Sequence, residues 1–332
     1  MSAPAKEQLP SWLRRIEDPY GIVWRLSNVA RRLSVRRTLK FAEGYLRHPQ
    51  FTRPVFILGV PRSGTTTIFL LLEASTHLGS IGREGHDIWR MYHHPRYSGW
   101  QSDSIGPGAI KRGERRFVYA FLYAYAGARR FVEKTPENSL RVPYLLELFP
   151  DALFVVVWRN PCDVISSLIN GWRHPRGRFR SYFVPEDLHI PDYPHRRQWC
   201  FALVKGWRDY RASPIPEIAF AQWAQPTEAL LAARALVPAA QWHEMFLEDL
   251  IAAPRETLVG LCRFTGLEME EHLGTELAKL LRTPANALTP ARNEKWRTDN
   301  EQCILELLPR IVPLAGRIGY RVDPQSGSCT RP

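Results

Sequence analysis

Residues 53–66 read RPVFILGVPRSGTT. The apolar run at 55–58 is short and continuous, which is typical of a strand buried on both faces of a parallel sheet. It leads into a loop that contains Gly59 and Gly64, and residues 68–73 continue as a helix. This pattern predicts a strand–loop–helix unit whose loop amides and helix dipole bind a phosphate-like anion.

The loop 59–66 has the outline of the Walker A pattern, but Thr65 stands where a P-loop NTPase places its lysine. A nucleoside-triphosphate enzyme needs that lysine, and usually Mg²⁺, to neutralise its terminal phosphate. Since the lysine is missing, the loop indicates a transferring group of lower charge, with a P-loop kinase or NTPase as the alternative.

The rest of the chain predicts an α/β fold. A second buried strand is predicted at 153–158, where Asn160 follows as the N-cap and Pro161 as the first residue of a helix. Thr135 is predicted to cap a helix that begins at Pro136. A further strand is predicted near 242–246, and further helices at 117–128, 198–210, 216–236, 255–265 and 299–315. We therefore predict a P-loop-type parallel sheet flanked by helices.

Two stretches lack clear periodicity and are predicted to line the site. Residues 79–115 are rich in Gly, His, Arg and aromatic residues and are interpreted as loops rather than scaffold. Residues 171–197 hold six arginines and four prolines, which indicates an irregular insertion that serves as a lid.

The composition is that of a compact globular protein, with 45% hydrophobic and 23% charged residues. The net charge of +12 favours an anionic partner. The five cysteines form no pair or cluster with the spacing of metal ligands, so we expect reduced thiols and no metal. No apolar run approaches the ~18 residues that span a bilayer, and a cytoplasmic protein is expected.

The chain is divided into an N-terminal segment 1–50, a main domain 51–322 and a tail 323–332. Residues 11–50 hold nine basic and three acidic residues, with Ile22, Leu26, Val29 and Leu33 at helical spacing. This predicts a basic amphipathic helix. It either contacts a membrane surface or a partner, or packs on the core with its basic face in solvent. The sequence leaves the oligomeric state open.

The loop Pro61-Arg62-Ser63-Gly64-Thr65-Thr66 and the segment RNPCDVISS at 159–167 resemble two motifs of the sulfotransferase superfamily, in particular of its tyrosylprotein, bacterial and carbohydrate branch. The resemblance covers about residues 55–320. In that family the first motif binds the 5′-phosphosulfate of 3′-phosphoadenosine 5′-phosphosulfate (PAPS), and a sulfuryl group needs less neutralisation than a terminal phosphate. The resemblance implies that the cofactor is PAPS, bound without a metal by Arg62, Ser63, Gly64, Thr65 and Thr66.

The second motif implies a clamp for the 3′-phosphate of PAPS, formed by Arg159 and Ser167. The spacing has a physical reason, because Arg159 ends a strand and Ser167 lies about two turns into the helix. Both side chains can then reach one phosphate near the start of the helix, the arginine with charge and the serine with a neutral donor.

Sulfuryl transfer requires a base for the acceptor hydroxyl and cations for the charge that develops on the leaving phosphate. The resemblance assigns the cationic role to Arg62 and Lys134. Cytosolic sulfotransferases carry a catalytic histidine two residues after this lysine, where this chain has Pro136. The base must therefore come from elsewhere.

The tyrosylprotein branch uses a glutamate about twenty residues after the loop arginine, which corresponds to Glu84 in this sequence. We predict Glu84 as the general base. His86 is the alternative, with Asp87 beside it to orient the ring.

Two later segments resemble the family less specifically. FLEDL at 246–250 is similar to a Tyr-Glu-x-Leu segment, with Phe246 in place of the tyrosine, and is interpreted as structural. RNEKWR at 292–297 resembles a basic loop that closes over the cofactor, which implies that Lys295 and Trp296 bind PAPS.

The resemblance implies transfer of a sulfuryl group from PAPS to a hydroxyl of a carbohydrate, a lipid or a small natural product, with release of PAP. The segments 79–130 and 171–216 are expected to select this acceptor. The alternatives are a P-loop nucleotide kinase or NTPase, and a non-catalytic basic protein that binds polyanions or a membrane surface. Nucleic acid is not an expected partner.

Overall fold

The fold is built on one parallel sheet. The computed structural model describes residues 34–127, 129–175, 177, 179–283 and 294–331. In sheet order the strands are Leu78–Gly79 (β2), Arg130–Glu133 (β3), Val55–Leu58 (β1), Leu153–Trp158 (β4) and Trp242–Phe246 (β7). All four neighbouring pairs are parallel. The predicted α/β class is confirmed, and so are the predicted strands.

Helices cover both faces of this sheet. Within the described residues they are Val35–Arg47 (α1), Thr65–Glu73 (α2), His86–His93 (α3), Glu114–Ala126 (α4), Val142–Leu148 (α5), Pro161–Trp172 (α6), Ile215–Arg234 (α7), Leu247–Ala252 (α8), Pro254–Thr265 (α9), Glu271–Arg282 (α10), Trp296–Asp299 (α11) and Glu301–Arg317 (α12). Arg180–Phe183 (β5) pairs with Gln198–Cys200 (β6), and Arg321–Val322 (β8) pairs with Cys329–Thr330 (β9), both antiparallel. No described helix is long and apolar enough to cross a membrane.

Two hydrophobic clusters lie on opposite faces of the sheet, because successive strand residues point to opposite sides. Phe56 and Leu58 belong to the cluster formed with α4, α6 and α7. Val55 and Ile57 belong to the cluster formed with α2, α9 and α10. Every residue of β1 and β4 is buried. This double burial explains why both strands are continuous apolar runs in the sequence.

The predicted helix at 198–210 is wrong. Residues 198–200 form β6, and only Trp207–Tyr210 makes a short 3₁₀ helix. Between them Phe201 has φ 58° and Gly206 has φ 72°. These left-handed conformations interrupt a right-handed helix.

The interpretation of 79–115 as loops rather than scaffold is also partly wrong, since this segment contains α3. Ile88, Trp89, Met91 and Tyr92 on this helix are buried in the core. The segment therefore supplies scaffold as well as site residues.

The described part of the N-terminal segment packs on the main domain. Helix α1 lies against α4, where the rings of Phe41 and Phe117 are 5.3 Å apart. Gly44 also faces α4, because a Cβ on it would lie 2.9 Å from the Tyr123 ring. Residues 35–47 therefore pack on the core, as one of the two alternatives for the N-terminal segment predicted. The predicted helical residues Ile22, Leu26, Val29 and Leu33 lie outside the described residues, and the boundaries at 50 and 322 stay predictions.

Candidate active site

The carboxyl ends of three neighbouring strands bring the candidate site together. Strand β1 lies between β3 and β4. The loop 59–64 follows β1, Lys134 follows β3 and Arg159 follows β4. Connections at the carboxyl edge of a parallel sheet converge where helices leave in different directions, which is the usual place for a binding crevice.

The loop after β1 has a conformation that its glycines allow. Gly59 has φ 150°, and a Cβ on it would lie 2.7 Å from Ser63 Oγ and 2.8 Å from the carbonyl oxygen of Val157. Gly64 has φ 97° and begins α2 without a side-chain cap. Between them Arg62 has φ 80°, which costs energy for a residue with a side chain. The contacts around the loop therefore hold it in this shape.

The first turn of α2 presents unused hydrogen-bond donors. The amide groups of Gly64, Thr65 and Thr66 donate to no acceptor among the described residues. Ser63 Oγ is buried and also has no partner there. A helix N-terminus with free amides favours an anion, both through hydrogen bonds and through the helix dipole.

The second predicted motif meets the first at Arg62. Arg62 Nε donates a hydrogen bond of 3.0 Å to Ser167 Oγ. Arg159 donates one of 3.1 Å to the carbonyl oxygen of Arg62 and lies 3.9 Å from Asp163. The structure thus brings Arg62, Arg159 and Ser167 into one cluster.

The start of α6 is held by its own cap and by the segment 246–250. Asn160 Oδ1 accepts a 3.0 Å hydrogen bond from the amide of Cys162, which confirms the predicted N-cap. Glu248 accepts 2.8 Å hydrogen bonds from the Asn160 amide and from the Tyr320 hydroxyl. This segment therefore supports the second motif, as its structural interpretation implied.

Lys134 reaches the loop from the neighbouring strand. Its side chain is buried, and Nζ donates a 3.1 Å hydrogen bond to Thr66 Oγ1 and a short one to Glu84 Oε1. The ammonium group that a Walker A loop carries at the position of Thr65 is thus supplied here from the end of β3.

Glu84 and His86 belong to one chain of charged groups. Glu84 Oε2 lies 2.8 Å from His86 Nε2, and His86 Nδ1 lies 3.4 Å from Glu137. Arg90 lies 3.4 Å from the other oxygen of Glu137. The carboxylates on the His86 ring are Glu84 and Glu137, whereas Asp87 pairs with Arg83 at 3.2 Å. The expectation that Asp87 orients the ring is wrong, because its carboxylate pairs with Arg83, which precedes α3, and the ring contacts Glu84 and Glu137.

The contacts within this group of side chains shift the pKa values of its members. Burial opposes ionisation of Glu84, but the hydrogen bond from His86 and the charge of Lys134 lower its pKa to about 2. Burial likewise opposes charge on His86, yet Glu137 and Glu84 together raise its pKa. Burial also opposes ionisation of Glu137, while His86 and Arg90 outweigh it and lower its pKa. Without ligand, Glu84 is therefore ionised at neutral pH.

A buried carboxylate that the sequence analysis missed holds the backbone beside Glu84. Glu133 accepts hydrogen bonds from Asn138 at 2.7 Å and from the amide of Gly85 at 3.2 Å. Thr135 accepts a second bond from the Gly85 amide at 2.7 Å and donates to Glu133, so it does not cap the 3₁₀ helix Pro136–Leu140 as predicted. The one signal in the sequence is an acidic residue within the apolar strand 131–133.

Part of the predicted site lines a common pocket of about 240 Å³, whereas Ser63, Gly64, Arg159 and Ser167 lie outside its lining. Its lining includes Arg62, Thr65, Thr66, Glu84 and Lys134. The hairpin β5–β6 contributes further residues, which are Phe179, Arg180, Ser181, Phe201 and Ala202. The rings of Phe179 and Phe201 are stacked 5.0 Å apart, and the Arg62 guanidinium lies 5.0 Å from the Phe179 centroid. The pocket therefore joins the anion-binding loop to a wall with an aromatic face.

Lys295 and Trp296 lie outside this lining. Trp296 is fully buried, and its amide donates a 3.2 Å hydrogen bond to Asp163 near the start of α6. Lys295 lies 3.7 Å from Asp299. Arg292 and Asn293 lie outside the described residues, so the predicted loop over the cofactor stays a prediction. The described residues contain no group of three or more His, Cys, Asp or Glu suited to a metal.

Comparison with known proteins identifies the family of this chain. The family model described as the sulfotransferase family matches residues 54–217 and 193–271. The chain belongs to the sulfotransferase family. The chain is 28% identical over 139 residues to nodulation protein NoeE of Sinorhizobium fredii (strain NBRC 101917 / NGR234), covering 36% of this chain and 32% of that protein. It is 27% identical over 137 residues to protein-tyrosine sulfotransferase A of Caenorhabditis elegans, covering 39% and 35%.

These matches span about a third of the length of the curated relatives. Among solved structures, sulfotransferase STF9 of Mycobacterium avium is 17% identical, with a TM-score of 0.51 over 86% of this chain and 82% of that chain. At this identity the likeness shows the fold alone.

Proposed function

We propose that this sulfotransferase transfers a sulfuryl group from PAPS to an acceptor hydroxyl and releases PAP. The observation that carries the proposal is the convergence of Arg62, Lys134 and Glu84 on one pocket, beside the unused amides of α2. These groups fit PAPS, since the amides and Ser63 suit its phosphosulfate and the two cations suit its charge. Arg159 and Ser167 are proposed to hold the 3′-phosphate, with Lys295 and Trp296 in the closing loop.

Each residue has a defined task in this proposal. The amides of Gly64, Thr65 and Thr66 hold the phosphosulfate in place. Arg62 and Lys134 stabilise the charge that develops on the bridging oxygen as the bond from sulfur to the leaving phosphate breaks. Glu84 accepts the proton of the acceptor hydroxyl as its oxygen bonds to sulfur.

Lys134 links donor binding to the strength of the base. In the structure its ammonium group is shared between Thr66 and Glu84, and this contact is one cause of the low pKa of Glu84. When Lys134 turns towards a sulfuryl oxygen, Glu84 loses part of that stabilisation and its pKa rises. The base is therefore strengthened when the donor is in place.

The acceptor is proposed to be a carbohydrate, a lipid or a small natural product. The stacked rings of Phe179 and Phe201 offer an apolar face to such a molecule, and Ser181 and Arg180 offer polar contacts beside it. The cytoplasmic location expected from the sequence remains a prediction.

The direct test is incubation with isotope-labelled PAPS and a panel of hydroxylated acceptors, read by mass spectrometry. The proposal expects one product heavier by a sulfuryl group together with PAP. Titration calorimetry with PAP and with ATP and Mg²⁺ provides the comparison. Metal-dependent ATP binding in place of PAP binding would indicate a kinase or NTPase. Salt-sensitive binding of polyanions without selectivity for PAP would indicate a non-catalytic protein.

A further inference from the structure

The outer face of α1 carries three exposed large apolar side chains. Val35, Leu39 and Leu46 are 79%, 67% and 73% exposed. Their spacing of four and seven residues places them on one side of the helix. We call these three residues the apolar stripe. The opposite side of α1 packs on α4 through Phe41, so the stripe has no role in the described core.

Positive charge borders the apolar stripe. Helix α1 carries Arg36, Arg37, Lys40 and Arg47 against a single acidic residue, Glu43. Glu43 pairs with Arg47 at 2.8 Å. Arg36 and Lys40 form no ion pair with any residue that the structure describes. The apolar side chains therefore stand next to uncompensated cations.

A basic cleft lies at the C-terminal end of the same helix. It has a volume of about 300 Å³, and its lining includes His48, Lys111, Arg115 and Arg116. The lysine and both arginines donate to backbone carbonyl oxygens at 2.6–2.9 Å. Within the described part of the chain none of the three is paired with a carboxylate. Their charge is thus available to an anion from outside.

We propose that the apolar stripe and the basic cleft form a docking surface for an anionic lipid bilayer. Leucine and valine side chains on a basic helix enter the boundary between headgroups and acyl chains, and the cations contact lipid phosphates. A nucleic acid would use the cations but has no use for the exposed leucines. This surface is separate from the proposed sulfuryl transfer and does not depend on it.

Two other occupants of this surface are the N-terminal residues 1–33 and a second copy of the chain, and charge argues against both. Residues 1–33 hold six basic and three acidic residues, so they carry the same sign of charge as α1 and repel it. A second copy of the chain, related by a two-fold axis, would place two such basic surfaces against each other. A negatively charged bilayer is the occupant that complements both the charge and the apolar stripe.

The full-length protein is tested by co-sedimentation with vesicles of phosphatidylcholine alone, or with about one third phosphatidylglycerol. We expect binding to the anionic vesicles only, and a loss of binding between about 50 and 200 mM salt. Arg36→Glu combined with Lys40→Glu lowers the partition coefficient about tenfold or more. Leu39→Glu lowers it about tenfold, because the side chain no longer enters the bilayer.

Two control variants match these changes elsewhere on the surface. Arg255→Glu with Arg317→Glu changes the net charge by the same amount at two exposed arginines. Leu236→Glu alters a leucine that is 62% exposed. Both controls retain binding. Equal losses in the controls and in the α1 variants would overturn the location of the surface, and failure of the wild type to bind anionic vesicles at low salt would overturn the proposal itself.

Measurements on the Leu39→Glu variant without vesicles decide between the occupants. If nothing covers the surface in solution, the substitution leaves the melting temperature and the sedimentation coefficient of the protein unchanged. A clear fall in melting temperature would show that residues 1–33 cover the stripe, and a wild-type dimer that this substitution dissolves would show self-association. Binding of the variant to anionic vesicles at the wild-type level would show that the leucines play no part. Each of these results contradicts bilayer docking.

Discussion

Glu84 has a hydrogen-bonding neighbour on each of its carboxylate oxygens, Lys134 on one and His86 on the other. This arrangement lowers its pKa to about 2 against the effect of burial. A carboxylate in this position is a weak base until one of its neighbours moves away. Donor binding is therefore expected to precede proton transfer.

Replacement of Glu84 by glutamine keeps the shape of the side chain but removes the proton acceptor. Glu84→Gln is expected to lower the single-turnover rate about 10²- to 10⁴-fold. PAP affinity stays equal or rises slightly, because Lys134 loses a competing anion. Asp87→Asn is the matched control on the same turn and retains activity. Turnover near the wild-type rate would transfer the role of base to His86.

The low pKa of Glu84 also predicts a dependence of stability on pH. Its folded-state pKa lies below the usual value of 4.5, so its ion pairs stabilise the protein above that pH and this contribution is lost as the pH falls towards about 2. The difference in melting temperature between wild type and Glu84→Gln is therefore larger at neutral pH than at acid pH. A difference that grows on acidification would contradict the assigned charge state.

Arg159 and Ser167 have two possible roles, since both contact Arg62. If they hold the 3′-phosphate, Arg159→Ala weakens PAP binding by about 1.5–3 kcal/mol, the scale of a hydrogen bond to a charged group, and Ser167→Ala costs less. AMP lacks that phosphate, so the affinity of the protein for AMP falls little in these variants. Isothermal titration with both nucleotides makes the measurement. Equal losses for PAP and AMP would mean that the two residues only position Arg62.

The hairpin β5–β6 is tied to the core through Asp103. Its buried carboxylate accepts 2.7 Å hydrogen bonds from Arg141 and from the amide of Leu203, and a short one from Tyr182 of β5. Arg141 is also buried, so this ion pair lies in the interior. The hairpin wall of the pocket is thus fixed by one acidic residue from a loop.

Removal of that carboxylate leaves a buried arginine without its ion-pair partner. Asp103→Ala is expected to lower the free energy of unfolding by about 3–5 kcal/mol. The matched control is Asp187→Ala, which removes an exposed pair with Arg196 and costs about 0–1 kcal/mol. Chemical denaturation of both variants gives the comparison. Similar values for the two would mean that Asp103 does not anchor the hairpin.

An element can be predicted from the sequence when its surroundings determine its local composition. Strands at 55–58 and 153–158 are buried, and their apolar runs are bounded by proline, glycine or a helix cap. The hairpin has no such local pattern, because β5 and β6 pair across an irregular connection. In addition, Tyr182 contacts a loop residue 79 positions away. The aromatic residues at 199–207 were therefore misread as a helix.

The same distinction applies to the site. Arg62, Arg159 and Ser167 were predicted because they belong to short motifs, and their contact is present in the structure. Glu137 and Arg90 were missed, since their place in the pocket depends on how α3 packs against the end of β3. The spacing of four residues between His86 and Arg90 places both side chains on one face of a helix. This signal can be used only when α3 is recognised as a helix.

Donor binding should be visible in the stability of the whole molecule. At a PAP concentration of about 100 times its dissociation constant, linkage predicts a stabilisation of about 2.7 kcal/mol. For a protein of this size that raises the melting temperature by about 3–5 °C. AMP gives a much smaller shift, and a chelator leaves the PAP effect unchanged. Equal shifts with AMP and PAP would contradict the 3′-phosphate clamp.

The sheet order also governs when the anion-binding loop can form during synthesis. Strand β1 is made first, but its two partners are β3 at 130–133 and β4 at 153–158. Until β4 has left the ribosome, a fully apolar strand has an unpaired edge, which is prone to aggregation. Ser167 follows later still, so its hydrogen bond to Arg62 forms only after the central strands have been made. A nascent chain released before residue 170 is thus expected to depend on chaperones and to lack a working donor site.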